Sequence, residues 1–132
     1  MKFYRTLFLT ICLLISIFVL SACNNNNINV EKKITIIAVN QNGEEIINKT
    51  LFTHNQTLEK VLLELEDIEV IIEYSIQGSY VTELNGVKQG TNGPWWVFES
   101  ETNNECIKNG YCPAIDKVAV QEEDVFIFKL IN

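Results

Sequence analysis

The sequence predicts a two-layer α+β domain, with one helix lying across one mixed sheet. Three observations carry this. A β-hairpin pattern opens residues 33–53, a single apolar stripe at helical spacing follows at 58–65, and the rest is short β-patterned runs. A helix and a sheet each have an apolar face to hide, and stacking them hides both.

Ile34, Thr35, Ile36, Ile37 and Val39 are β-branched, so 33–39 reads as the first strand. Asn42-Gly43 marks a hairpin, because both residues tolerate positive φ, and 45–53 is the second strand. Thr57 is placed to cap a helix, its hydroxyl accepting a backbone N–H. Leu58, Val61, Leu62 and Leu65 recur at i, i+3, i+4 and i+7 and share one face. Lys60 and Glu64, four apart on another face, read as a solvated pair, and the helix should fade near Asp67. Strands follow at 69–74, 79–84, 94–100 and 125–131, the second of them ended by an Asn85-Gly86 turn. In the last strand Phe126, Phe128 and Leu130 fall on one face by two-residue alternation. No internal repeat or second domain is evident.

The N-terminus carries a different signal. Lys2 and Arg5 precede a nearly unbroken apolar run at 7–20, and Ser21-Ala22 leads into Cys23. Positive, then apolar, then small is an export signal. The run is shorter than the ~20 residues a membrane-spanning helix needs. A small-residue site ending in Cys resembles a bacterial lipobox, in which the thiol receives a diacylglycerol and the preceding peptide is removed. The alternative is an ordinary secretory signal in which Cys23 is incidental. The expected organisation is a signal at 1–22, a lipidated flexible tether at 23–32 and one domain at 33–132. The tether includes Asn24-Asn25-Asn26-Asn27, too polar to offset its ordering entropy by burial. Two acyl chains, at ~0.8 kcal/mol per buried CH2, would hold the protein on the outer side of a cell membrane.

Removing Lys2 and Arg5 with the signal takes the charge from −7 to −9. That balance argues against nucleic acid and against docking on anionic lipid heads. Of the four cysteines, Cys12 lies in the signal and Cys23 is the lipid site. Cys106 and Cys112 remain in an exported domain and read as a disulfide, with a turn at Asn109-Gly110 between them. Closing so short a loop contributes roughly 2 kcal/mol in the chain-entropy model. The rival is a thiol-disulfide exchange enzyme using the same pair, but the two-residue spacing and following helix typical of that chemistry are not evident. His54 is the single histidine and lies far from the pair in sequence, so no zinc site is expected.

Residues 34–131 resemble the transcobalamin-like C-terminal domain, a β-grasp-like module of bacterial surface proteins and of the animal vitamin B12 carriers. The resemblance rests on Thr57-Leu58 opening the helix and on Gly78-Ser79-Tyr80-Val81-Thr82-Glu83-Leu84-Asn85-Gly86. It continues through Trp95-Trp96-Val97-Phe98 and the final segment 118–131 with Glu122-Glu123-Asp124. It implies a β-grasp-like mixed sheet with one helix packed across it, and a ligand-binding or protein-contact role. The B12 carriers hold cobalamin between this domain and a helical barrel. No barrel is present here, and an insertion at 101–117 carries the Cys pair. Cobalamin is therefore a possibility by resemblance only, and no other cofactor is expected.

By the alternation and the family pattern, Trp96 and Phe98 belong to the core and Trp95 points outward. Trp95, Tyr111 and the Asn92-Gly93 turn are the candidate binding residues, bordered by the disulfide loop, because an exposed Trp offers large contact area at low entropy cost. Alternatively the loop simply covers Trp95. Catalytic motifs are missing: no Ser-centred elbow and no Gly-rich phosphate loop. Glu122-Glu123-Asp124 lacks the alternating spacing of a calcium loop and reads as a solvated turn. The expected function is a non-enzymatic binding module on the membrane, engaging a small ligand or an envelope protein. Cys23→Ala is expected to abolish incorporation of radiolabelled fatty acid and to leave uncleaved precursor or released protein. Labelling equal to wild type would contradict the lipobox.

Overall fold

The computed structural model of the protein describes residues 29–132; the signal at 1–22, Cys23 and positions 24–28 lie outside the described residues. Strand β1 (Lys32–Val39) pairs antiparallel with β2 (Glu45–Thr53). Gly43, at φ +82°, supplies the left-handed step of their turn. The last strand, β7 (Asp124–Ile131), lies parallel to β1, and β6 (Trp95–Glu99) pairs antiparallel with β7. The order β2-β1-β7-β6 is a four-stranded mixed sheet, which bears out the α+β class.

Alternation explains its buried face. Ile34, Ile36 and Ala38 of β1 are fully buried, as are Phe126 and Phe128 of β7, with Leu130 and Trp96 nearly so. Phe98 joins them, its ring stacked on Phe128 at 5.2 Å and edge-on to Phe126 at 6.3 Å. Helix α1 (Leu58–Leu63) sets Leu58, Val61 and Leu62 on this face, and Leu65 continues the stripe past the helix end. The regular helix stops before the expected fade near Asp67, since Glu64 is already its C-cap.

Strands β3 (Val70–Ser75), β4 (Gly78–Leu84) and β5 (Val87–Lys88) form a separate three-stranded sheet, which alternation within strands did not distinguish from the first. The chain leaves β5 after two residues and reaches Pro94, which has no N–H for a ladder, before β6 starts anew against β7. Val81 and Leu84 carry this second sheet into the common core.

Five local expectations need correction. Thr57 is the N-cap of α1, but its hydroxyl caps nothing and is buried without a partner. The first helical N–H groups go instead to distant carbonyls, Leu58 N–H to Val118 O at 3.1 Å and Glu59 N–H to Ile115 O at 3.0 Å. Lys60 and Glu64 do not pair, because the Glu64 carboxylate accepts from the Thr53 hydroxyl and from Asn55 Nδ2. A second helix, α2 (Asn104–Asn109), occupies the cysteine loop where none was expected. Asn103, fully buried, caps it by accepting from Glu105 N–H and Cys106 N–H, and Gly110 closes it in the left-handed region at φ +74°. In the acidic run Glu122 and Glu123 are an exposed turn as expected, but Asp124 is not part of it. Asp124 is buried, taking Asn103 Nδ2 at 2.6 Å and Gln121 N–H at 2.8 Å, while Glu122 accepts from Lys33 N–H. The end of the expected tether is also structured: Lys32 starts β1, and Asn29 O lies 3.0 Å from His54 Nδ1.

Segment 114–120 locks the layers together. Besides capping α1, Ile115 donates its N–H to Ser79 O at 3.2 Å, and Asp116 Oδ1 accepts from Ser79 N–H at 2.8 Å. That backbone donor holds the Asp116 carboxyl below the ordinary value of 3.8. A depressed folded pKa contributes stability above the unfolded value and loses it as pH falls through the folded one. Asp116→Ala is therefore expected to destabilise at neutral pH, with the gap to wild type closing below pH 3.8. Urea unfolding across a pH series checks this, and a constant gap would contradict it. Trp96→Ala is expected to cost ~3–5 kcal/mol as a buried aromatic deletion, and Trp95→Ala much less. Equal losses in denaturant unfolding would place Trp95 in the core.

Candidate functional site

A cleft of about 320 Å³ opens between the two sheets. One wall is β4 at Ser79, Tyr80 and Val81, and the other is β6 at Trp96, Val97 and Phe98. Phe128 and Ile115 reach it from below, and residues 112–114 line its remaining side. Its depth is thus apolar and its mouth is polar, with Ser75 at the end of β3 and Gln77 on the turn before β4.

The β4 wall depends on Gly78. Its φ is +129°, and a Cβ there would lie 2.4 Å from Ala114 Cβ and 2.7 Å from Asp116 Oδ1. Only a residue without a side chain lets segment 114–116 come this close. The same approach fixes Ser79 through both of its backbone groups, to Asp116 and Ile115. Ser79 is 1% exposed, and its side chain sits beside the Asp116 carboxylate, helping to hold that carboxyl's pKa down. At the mouth, Tyr80 donates its hydroxyl to Glu73 Oε2 at 3.0 Å, which raises the Tyr80 pKa. Tyr74 is raised likewise by the Glu59 carboxylate.

The β6 wall follows from register. Val125 of β7 points its N–H to Thr102 Oγ1 and its C=O to Ser100 Oγ, on the β6 side. By alternation the bonded pairs are then Trp95 with Ile131, Val97 with Lys129 and Glu99 with Ile127. Trp96 and Phe98 turn their backbone groups the other way, away from β7. Trp96 N–H meets Gln89 Oε1 at 3.4 Å, and its indole Nε1 donates to Val87 O at 2.9 Å.

The residues singled out from sequence are not all brought together. Trp95 is 45% exposed on the outer face of the first sheet, and its ring covers Gly93, within 3.0 Å of where a Cβ would stand. Asn92 is exposed beside it. Tyr111, 70% exposed, instead lines a separate groove of about 310 Å³ with Glu99 and Ser100, at the far end of β6. Some 13 Å of strand separates the two ends at ~3.3 Å per residue. Cys106 and Cys112 are bonded to each other, and Cys112 lines both this groove and the main cleft. Ser79 and Phe98 were legible only as parts of a strand pattern; their site role depends on which strand edges face one another. A further groove of about 420 Å³, along Glu83, Lys88 and Gln89, has a more polar lining and lacks an aromatic floor. Among the described residues, no group of three or more His, Cys, Asp or Glu side chains is placed to hold a metal ion.

No protein-family model matches the chain, and none of the curated protein sequences does. Solved structures share its fold. It is similar to a protein from Ruminococcus gnavus ATCC 29149 described provisionally as metal binding. The TM-score is 0.60 at 22% identity, over 75% of this chain and 95% of that one. It is also similar to haptocorrin in complex with Cbi, with TM-score 0.55 at 17% identity, over 83% of this chain and 27% of haptocorrin. The chain thus spans about a quarter of haptocorrin, and at such identities the likeness is one of fold.

Proposed function

We propose that the protein is a lipid-anchored, extracytoplasmic binding module, attached through Cys23, which takes its ligand or partner in the β4–β6 cleft and catalyses no reaction. The observation that carries this is a cleft walled by β4 and β6 and floored by aromatic side chains. Apolar depth with a few placed polar groups is the general form of a binding site. The shared fold supports a binding role of the kind the transcobalamin-like resemblance implies. Cobalamin itself is not carried over, because most of haptocorrin has no counterpart in the aligned region. Cys106–Cys112 enters as a staple: Cys106 is only 4% exposed on α2, whereas an exchanging thiol needs access.

Native mass spectrometry of the detergent-released protein tests the cleft. Gln77→Trp sets an indole at its mouth. A bound species is expected on wild type and is expected to fall about tenfold in the variant, corresponding to ~1.4 kcal/mol. No bound species on wild type, or one that persists in Gln77→Trp, would contradict the reading.

A further inference from the structure

Strand β6 is bonded along one edge only. On its other edge Trp96 N–H is met by the Gln89 side chain and Pro94 O accepts from Gly90 N–H at 2.9 Å. Between the residues so covered and the α2 loop lies Phe98. Among the described residues nothing bonds its N–H or its C=O, and by the register both turn away from β7; Phe98 lines the cleft and also the groove beside Tyr111. Unpaired strand edges are normally blunted by Lys, Pro, a bulge or a covering element. Trp95-Trp96-Val97-Phe98 carries no charge and no Pro, and its register with β7 has no bulge.

We propose that the cleft takes an extended peptide segment of a partner protein, which adds to the free edge of β6 as a short strand. One backbone edge of that peptide exchanges N–H and C=O with Phe98. Its other edge faces the β4 wall at Tyr80 and Val81. One aromatic or branched apolar side chain then rests on Phe98 and Phe128, which already stack on each other. Main-chain bonds supply the affinity in this mode, and the pocket for alternate side chains supplies the choice of sequence. The cleft, about 320 Å³, is at the small end of ligand pockets, which run ~300–1,000 Å³, and so suits one side chain with its backbone.

Charge selects the flanks. Residues 29–132 contain every acid of the chain and lack Lys2 and Arg5, which makes them −9. Around the cleft Glu73 holds the Tyr80 hydroxyl and Asp116 the Ser79 N–H, while Lys117 is engaged on Gln77 O at 2.7 Å. The expected segment therefore has Lys or Arg on either side of its apolar residue. This proposal rests on the cleft reading above and adds the class of partner.

The probe is a bead-displayed library of Lys-flanked six-residue peptides with alternating apolar positions, panned against the detergent-released full chain. Enriched peptides are expected to slow hydrogen exchange at Phe98 N–H by about tenfold or more. N-methylation of the alternate amides on one edge of the peptide is expected to lower affinity about tenfold or more, as loss of a main-chain bond to an edge does. No peptide binding below about 1 mM would overturn strand addition. So would binders that neither protect Phe98 nor respond to N-methylation. If such binders are still displaced by Gln77→Trp, the cleft stands and only the strand mode falls. If native mass spectrometry shows no bound species, the cleft itself is in question.

Discussion

The peptide unit at Ile115 is the joint on which the cleft depends. Its carbonyl takes Glu59 N–H from α1 and its N–H gives to Ser79 O on β4, while Val118 O takes Leu58 N–H and Val120 N–H gives to Gln56 O. A six-residue helix is far too short to be stable alone, and its first N–H groups have no internal partner. Segment 114–120 provides that partner from more than fifty residues away, and in the same stroke fixes the wall that carries Ser79. Gly78 is the steric condition for it, since any side chain would strike Ala114.

What could be read from sequence was whatever depends on near neighbours. Alternation put Phe126, Phe128 and Leu130 inside, separated buried Trp96 from half-exposed Trp95, and the stripe from Leu58 to Leu65 reached the core as expected. What was hidden depends on distant pairing. Thr57 has the chemistry of a cap, but two remote carbonyls took its place. The strands at 70–88 look like members of one sheet, yet β4 faces β6 across a gap instead of pairing with it. Asn103 gave no signal either. A lone Asn in a polar loop is the unfired bolt of this fold until one sees its four contacts: two helix N–H groups, Ala119 O and Asp124.

That last constellation shapes the other side of the site. Asn103 and Asp124 are both buried and satisfy one another, which anchors α2 to the start of β7. The Cys106–Cys112 bond then closes the loop, so that residues 112–114 reach the cleft from a fixed base. Rigid walls lower the ordering cost of binding. The candidate surface drawn from Trp95 and Tyr111 fails to assemble as one patch because β6 holds them at opposite ends, while the residues between them, Trp96 and Phe98, line the cleft.

The central claim is that in the unliganded protein one edge of β6 is open while the joint at Ile115 is firm. Residue-resolved hydrogen exchange of the free protein measures both at once. The account predicts that the Leu58, Glu59 and Ile115 amides exchange together and slowly, near the rate of global unfolding, while Phe98 N–H exchanges fast. A protected Phe98 amide in the free protein, or an Ile115 amide that exchanges as freely as a loop, would contradict it.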